Sequence, residues 1–243
     1  MKLAVIGATG QIGSRVVELL RTAGHEVTGV SRSSGVDVVT GSGVADAVTG
    51  NEVLVDLTNS PSVDDEPAMT FFTASSANLV AAAKAGGVGH YVALSIVGAD
   101  SLPVSGYMNA KVAQENTVKQ SGLPFTIVRA TQFHEFADMI VTGMTVDGEV
   151  RVPEARIQPI AAADVAEYVA RVAQQAPVNG VVNLGGPEKM SFAELARAVL
   201  ARRGESTPVV VDPAATYFGV PVDQNSLVTG DGAVLATRRF VDE

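Results

Sequence analysis

The 243-residue sequence lacks several features that would indicate particular classes of protein. It contains no cysteine, which excludes disulfides, thiolate metal sites and a cysteine nucleophile and fits a cytoplasmic location. Glycine, serine or charge interrupts every apolar run well before 18 residues, so we expect no membrane span. Basic residues are scarce, 17 Lys and Arg against 26 Asp and Glu. The net charge of −9 argues against direct contact with nucleic acid, and three dispersed histidines predict no metal site.

Apolar residues make up 47 % of the chain, which is ample for one large α/β domain. Apolar runs typical of buried strands alternate with amphipathic segments typical of helices. The predicted strands are residues 2–6, 25–32, 36–39, 52–59, 91–97, 124–130 and 181–184. The helices between them include a short one within residues 43–50, an Ala-rich one ending at Gly86, and one over residues 192–203 with a Ser191–Glu194 capping box. This alternation predicts a doubly wound parallel (Rossmann) sheet of about seven strands, with its ligand at the carboxyl ends.

Less regular segments predict a small C-terminal lobe that binds the substrate. Residues 132–160 hold a short amphipathic piece and a possible strand at 149–152, and residues 188–243 are punctuated by proline and glycine. We expect one domain over residues 1–243, with a Rossmann core of about 1–131 plus 161–187 and the lobe from 132–160 and 188–243.

Three glycines follow the first predicted strand in KLAVIGATGQIG. Gly7, Gly10 and Gly13 stand at the turn from that strand into an amphipathic helix. There a bare backbone can approach a pyrophosphate, which the helix N-terminus attracts. The pattern predicts a phosphate-bearing cofactor, and the absence of a following Lys-Ser or Lys-Thr pair disfavours a nucleotide-hydrolase loop.

The end of the second predicted strand favours NADP over NAD. An acidic residue at this place binds the free 2′-hydroxyl of NAD, but this chain has Ser31 and Arg32, followed by two more serines. A guanidinium beside hydroxyls suits a 2′-phosphate. The alternative is that Arg32 is an ordinary solvated residue.

Tyr107 and Lys111 form a candidate catalytic pair in GYMNAKVAQE. Four residues apart on a helix, they share one face, where a tyrosine can donate a proton while an ammonium lowers its pKa and binds the cofactor ribose. Ser95, at the end of the fifth predicted strand, has a hydroxyl that can polarise the same carbonyl. A solvated helix face and a serine that satisfies a strand end are the alternatives.

Taken together, GATGQIG, the Ser-Arg after the second strand, LSIVG, YMNAK and FTIVRATQF resemble the short-chain dehydrogenase/reductase superfamily, in particular its NmrA-like NAD(P)H-binding branch, over about residues 1–190. The resemblance implies that Thr9, Gln11 and Ile12 line the glycine loop. It implies catalytic roles for Tyr107, Lys111 and Ser95, and a loose match for Asn59 as a cofactor-lining asparagine. Members of this branch often bind the cofactor without clear catalysis, and several act as redox-responsive regulators.

The segment after the sixth predicted strand is a candidate substrate wall. Phe133, His134 and Phe136 follow that strand, where the chain in such folds passes the nicotinamide. The alternative is that the aromatics are lobe core and the histidine is structural.

The sequence thus predicts an NADPH-dependent oxidoreductase that reduces a carbonyl or quinone-like small molecule, with Tyr107 as proton donor. A non-catalytic redox sensor and, third, an isomerase or epimerase with bound cofactor remain open, as does the oligomeric state.

Overall fold

The computed structural model of the chain describes residues 1–102 and 104–240. Strands and helices alternate through its first part as the sequence predicts. In chain order they are β1 (Lys2–Ile6), α1 (Gln11–Thr22), β2 (Glu26–Val30), α2 (Val44–Val48), β3 (Val53–Asp56), α3 (Asp65–Gly86), β4 (His90–Ile96), α4 (Gly106–Lys119) and β5 (Phe125–Ala130). The remaining elements are α5 (Ala137–Gly143), β6 (Thr145–Val146), β7 (Glu149–Val152), β8 (Arg156–Ile157), α6 (Ala162–Ala173), β9 (Gly180–Gly185), β10 (Met190–Ser191), α7 (Phe192–Arg203), β11 (Val209–Val211) and β12 (Val234–Leu235).

A parallel sheet forms the centre of the fold, which confirms the predicted Rossmann class. In the described residues it has seven strands in the order β12-β9-β5-β4-β3-β1-β2. After β2 the chain crosses to the other side of β1 and continues with β3. The switch point of the topology therefore lies between the carboxyl ends of β1 and β3, where open sheets of this type bind ligands.

One predicted strand is wrong. Residues 36–39 form a turn, because the Asp37 carboxylate accepts hydrogen bonds from the N–H groups of Val39 and Thr40. The chain then doubles back in an Asp37–Ser42 bridge. The seventh strand of the sheet is instead β12, which lies in the tail and pairs in parallel with β9.

The chain divides into two compact units. The first comprises Met1–Arg129 and Val165–Val182. Its core packs α2 and α3 against the sheet around the fully buried Tyr91, Leu54 and Leu79. Burial of such apolar side chains is the main stabilising contribution to the unit.

The second unit comprises Ala130–Asp164 and Asn183–Glu243. It holds a small sheet in the order β11-β7-β6, and the antiparallel pair β8 and β10. The predicted capping box begins α7: Ser191 accepts the Glu194 N–H, and the Glu194 carboxylate accepts the Ser191 N–H. In the part of the chain that the structure describes, no helix combines the length and apolar character needed to cross a bilayer.

Candidate functional site

The glycine loop between β1 and α1 is shaped by close backbone approaches. Gly7 has φ +83°, and a Cβ there would lie 2.7 Å from the Leu57 carbonyl oxygen. A Cβ on Gly13 would lie 2.1 Å from the Gly7 oxygen. Gly10, in contrast, is exposed. The first and third glycines permit tight packing, and the second leaves the backbone open to a phosphate.

Helix α1 begins directly after Gly10, the second glycine of this loop. Its N-cap residue is Gly10, which has no side chain to bond the first turn, and the first N–H groups of a helix have no partner within the helix. Thr9 and Gln11 are exposed, whereas the Ile12 side chain is buried. Ile12 can therefore meet a ligand only through its backbone N–H, beside the positive end of the helix dipole.

Arg32 follows β2 in a 3₁₀ turn that the hydroxyls of Ser31 and Ser34 brace. The guanidinium is 84 % exposed and lies 3.6 Å from a carboxylate oxygen of Asp37. Backbone hydrogen bonds from Thr40 and Val39 hold the pKa of Asp37 below its usual value. Arg32 is thus a cation with only a loose surface ion pair, which contributes little to stability and leaves its donors accessible to an anion.

Tyr107 lies in the first turn of α4 and reaches across to the segment after β3. Its hydroxyl donates a hydrogen bond of 2.5 Å to Oδ1 of Asn59, and its ring meets the edge of Phe72 at 5.8 Å between centroids. Burial raises the pKa of Tyr107 to about 12. The phenol therefore keeps its proton throughout the neutral range.

Lys111, one turn further along α4, is only 3 % exposed. Its ammonium donates to the Leu94 carbonyl at 2.9 Å and to Oε1 of Gln114 at 2.5 Å, and lies 4.4 Å from the centre of the Phe72 ring. Burial lowers the pKa of Lys111 to about 8, although the nearby Asp56 and Glu115 oppose this effect. Tyr107 and Lys111 both contact Phe72, but each head group has its own polar partners.

Asp56, the last residue of β3, was not among the site residues predicted from the sequence. It is fully buried, and its carboxylate accepts hydrogen bonds from Tyr91, Gln114 and Thr58 at 2.7–3.0 Å. Gln114 thereby links this carboxylate to the Lys111 ammonium. An aspartate that ends a buried apolar strand was the available signal, because a buried charge requires partners.

Ser95 is 3 % exposed and belongs to a buried ionic cluster. Its hydroxyl donates to Oε1 of Glu115 at 2.7 Å, and Arg129 binds both oxygens of the same carboxylate at 2.7 Å each. Burial alone would raise the pKa of Glu115, but hydrogen bonds from Arg129 and Lys119 outweigh it and hold that pKa below its usual value. The Ser95 hydroxyl therefore uses its single hydrogen in the bond to the Glu115 carboxylate.

In the second unit, the segment after β5 carries the predicted substrate residues. The rings of Phe133 and Phe136 stack at 5.5 Å with an interplanar angle of 18°, and Phe136 is 41 % exposed. His134 is buried beside the ring of Phe240. Gln132 is 7 % exposed, and among the described residues neither of its amide head-group atoms has a hydrogen-bond partner.

A glycine-rich turn at the switch point of a parallel sheet, followed by an open helix N-terminus, defines a dinucleotide-binding protein of the Rossmann class. A family model described as NAD(P)H-binding matches residues 7–176. The chain belongs to this NAD(P)H-binding family, which fits the resemblance to the NmrA-like NAD(P)H-binding branch of the short-chain dehydrogenase/reductase superfamily.

The chain is similar to a protein that is named for its activity. It is 29 % identical over 244 residues to an NAD(P)H azoreductase of Xenophilus azovorans, a match that covers 90 % of this chain and 82 % of that protein.

Solved structures share the fold. UDP-glucose 4-epimerase of Thermus thermophilus, in complex with NAD, superposes with a TM-score of 0.72 at 20 % identity, covering 93 % of this chain and 91 % of that one. dTDP-4-dehydrorhamnose reductase of Bacillus anthracis, in complex with NADP, gives a TM-score of 0.71 at 17 % identity, covering 88 % of this chain and 85 % of that one. At such identities the likeness establishes the fold alone.

Proposed function

We propose that the chain is an NADPH-dependent oxidoreductase that reduces a carbonyl, quinone-like or azo group of a small molecule. The observation that carries the proposal is the Tyr107 hydroxyl, a protonated and partly accessible donor beside the carboxyl end of β3 in a chain of an NAD(P)H-binding family. The azo group enters through the name of the Xenophilus relative. Carbonyl, quinone and azo groups share the need for a hydride equivalent and a proton.

The residues present fit a dinucleotide. The N–H groups that begin α1 would hold the pyrophosphate, and the exposed Gly10, which has no side chain, would let it approach. Ser31 and Arg32 would hold a 2′-phosphate, because a guanidinium and a hydroxyl can both donate to phosphate oxygens. The Lys111 ammonium would bind the ribose that carries the nicotinamide, as the family resemblance implies. When bound, the nicotinamide supplies the hydride.

The protein supplies the proton. Tyr107 donates its hydroxyl proton to the heteroatom of the substrate and regains one from water. The ammonium of Lys111 stabilises the transient phenolate through space, because the field of a buried cation is weakly screened. Phe133, His134 and Phe136 are proposed to contact the substrate, since a stacked, partly exposed ring pair suits a planar aromatic molecule.

Steady-state oxidation of NADPH, followed at 340 nm with a panel of quinones, carbonyls and azo dyes, tests the proposal. We expect turnover by the wild type, and a loss of about 100-fold or more in kcat for Tyr107→Phe, as for removal of a general acid. Tyr168→Phe, a matched change on α6, should keep wild-type rates. Unchanged turnover by Tyr107→Phe would show that another group is the donor.

A second candidate is a cofactor sensor without catalysis. The burial of Ser95 and Lys111 favours it, because two of the three predicted catalytic groups are only 3 % exposed and bind internal partners. It predicts micromolar or tighter NADPH binding, seen by calorimetry, with no turnover across the same panel.

A further inference from the structure

The predicted substrate-oxygen donor, Ser95, has no proton to offer. A hydroxyl carries one hydrogen, and that of Ser95 is bound by Glu115, whose carboxylate is itself fixed by Arg129. Turning the Ser95 hydroxyl toward a substrate would break a charge-assisted hydrogen bond in a buried site, which is costly. The site therefore needs a different donor.

Asn59 meets the requirements for this role. It lies three residues beyond the end of β3, is exposed, and accepts a hydrogen bond from the Tyr107 hydroxyl through Oδ1. A carboxamide carries an acceptor oxygen and two N–H donors on one carbon. A substrate heteroatom close enough to take the Tyr107 proton is consequently within reach of the Asn59 amide nitrogen.

We infer that Asn59 is a catalytic residue of the proposed reductase: it holds the Tyr107 hydroxyl in the free protein and donates an N–H to the substrate heteroatom during reduction. The inference rests on the proposed function and replaces the cofactor-lining role that the sequence suggested for Asn59. One end of the C=O or N=N bond receives the hydride from NADPH. The other end takes the proton from Tyr107, and the Asn59 N–H stabilises the negative charge that develops there.

Variants at position 59 distinguish two roles of Asn59: donating a hydrogen bond to the substrate, and only holding the Tyr107 hydroxyl in place. Asn59→Ala removes both functions, and we expect kcat to fall about 100-fold, as for loss of one donor to a developing anion. Asn59→Asp keeps the acceptor for Tyr107 but loses the donor when the new carboxyl group is ionised. Its kcat should be equally low at pH 8, where an aspartate side chain with an ordinary pKa of about 3.9 is fully ionised and donates no hydrogen. A purely supporting residue would instead be rescued by aspartate at pH 8.

Two further measurements complete the test. The Kd for NADPH should stay within about twofold of wild type in Asn59→Ala, whereas a cofactor-lining role would weaken it. Ser95→Ala should lose clearly less kcat than Asn59→Ala, and Asn116→Ala, an exposed asparagine on α4, should match wild type. Full activity of Asn59→Ala in an enzyme that turns over would overturn the inference alone. No turnover by the wild type on any substrate would overturn the proposed function and this inference with it.

Discussion

Burial of the Lys111 amine leads to a prediction about stability: in the cofactor-free protein, Lys111→Met should lose stability relative to the wild type as the pH rises. Burial lowers the pKa of Lys111 from 10.5 to about 8. Since one pH unit corresponds to about 1.4 kcal/mol, holding this charge at pH 7 costs the folded state about 3 kcal/mol. Methionine fills a similar volume without charge.

The loss of two hydrogen bonds opposes this gain. The Leu94 carbonyl and the Gln114 amide oxygen lose their donor, which costs about 1–3 kcal/mol each. The net change in the free energy of unfolding at pH 7 then lies between a gain of about 1 kcal/mol and a loss of about 3 kcal/mol. The variant should lose turnover at the same time, because Lys111 is a proposed cofactor and phenolate partner.

The stability difference between Lys111→Met and the wild type must depend on pH in a defined direction. The pKa in the folded state lies below that of the unfolded chain, so the unfolded chain binds more protons between about pH 8 and 10.5. Wild-type stability therefore rises with pH across this window. The difference should be most favourable to Lys111→Met below pH 8 and should shift against it by about 3 kcal/mol by pH 10.5.

Urea unfolding followed by far-UV circular dichroism at pH 7 and pH 10 measures both effects. Lys84→Met, on the exposed face of α3, serves as the control and should change stability little at either pH. A stability difference between Lys111→Met and the wild type that is the same at both pH values would refute charge burial as the cause.

Further predictions concern the cofactor loop, a buried histidine and a buried amide. Arg32→Ala should raise the Kd for NADP about tenfold or more and leave that for NAD unchanged, with Arg21→Ala as the control in the same titrations. Burial lowers the pKa of His90, so the unfolded chain binds more protons than the folded one below about pH 6.5. Between pH 7 and pH 5 the Tm of the wild type should therefore fall more than the Tm of His90→Gln. The Tm of the control His25→Gln should fall as much as that of the wild type. Gln132→Leu should raise the Tm of the cofactor-free protein, because two unpaired buried amide atoms destabilise it by about 1–3 kcal/mol each; a lower Tm would show that the amide is satisfied.

Periodicity and glycine chemistry predicted most of the fold because they depend on neighbours in sequence. The strands of the core, the short helix α2 and the Ser191–Glu194 capping box are local patterns, and all are present. The same reasoning gave a wrong prediction for residues 36–39. The apolar pattern there suits a strand, but the Asp37 carboxylate bonds the next N–H groups and makes a turn. Strand β12 has only two residues, too few for any periodicity, and only its pairing with β9 makes it a strand.

In the candidate site too, the sequence predicted where residues lie along the strands but not which side chains they contact. Strand count correctly brought Ser95 and Asn59 to the carboxyl ends of neighbouring strands, β4 and β3. It could not show that Ser95 faces the carboxylate of Glu115 while Asn59 faces the hydroxyl of Tyr107. That choice depends on which residues of α4 meet each strand end, and hence on the packing of a helix far along the chain from Asn59. A buried carboxylate binds the strongest donors within reach, so Glu115 accepts hydrogen bonds from both Ser95 and Arg129. The chemistry proposed for this edge is consequently assigned to Asn59, which is exposed, and Tyr107, which is partly accessible.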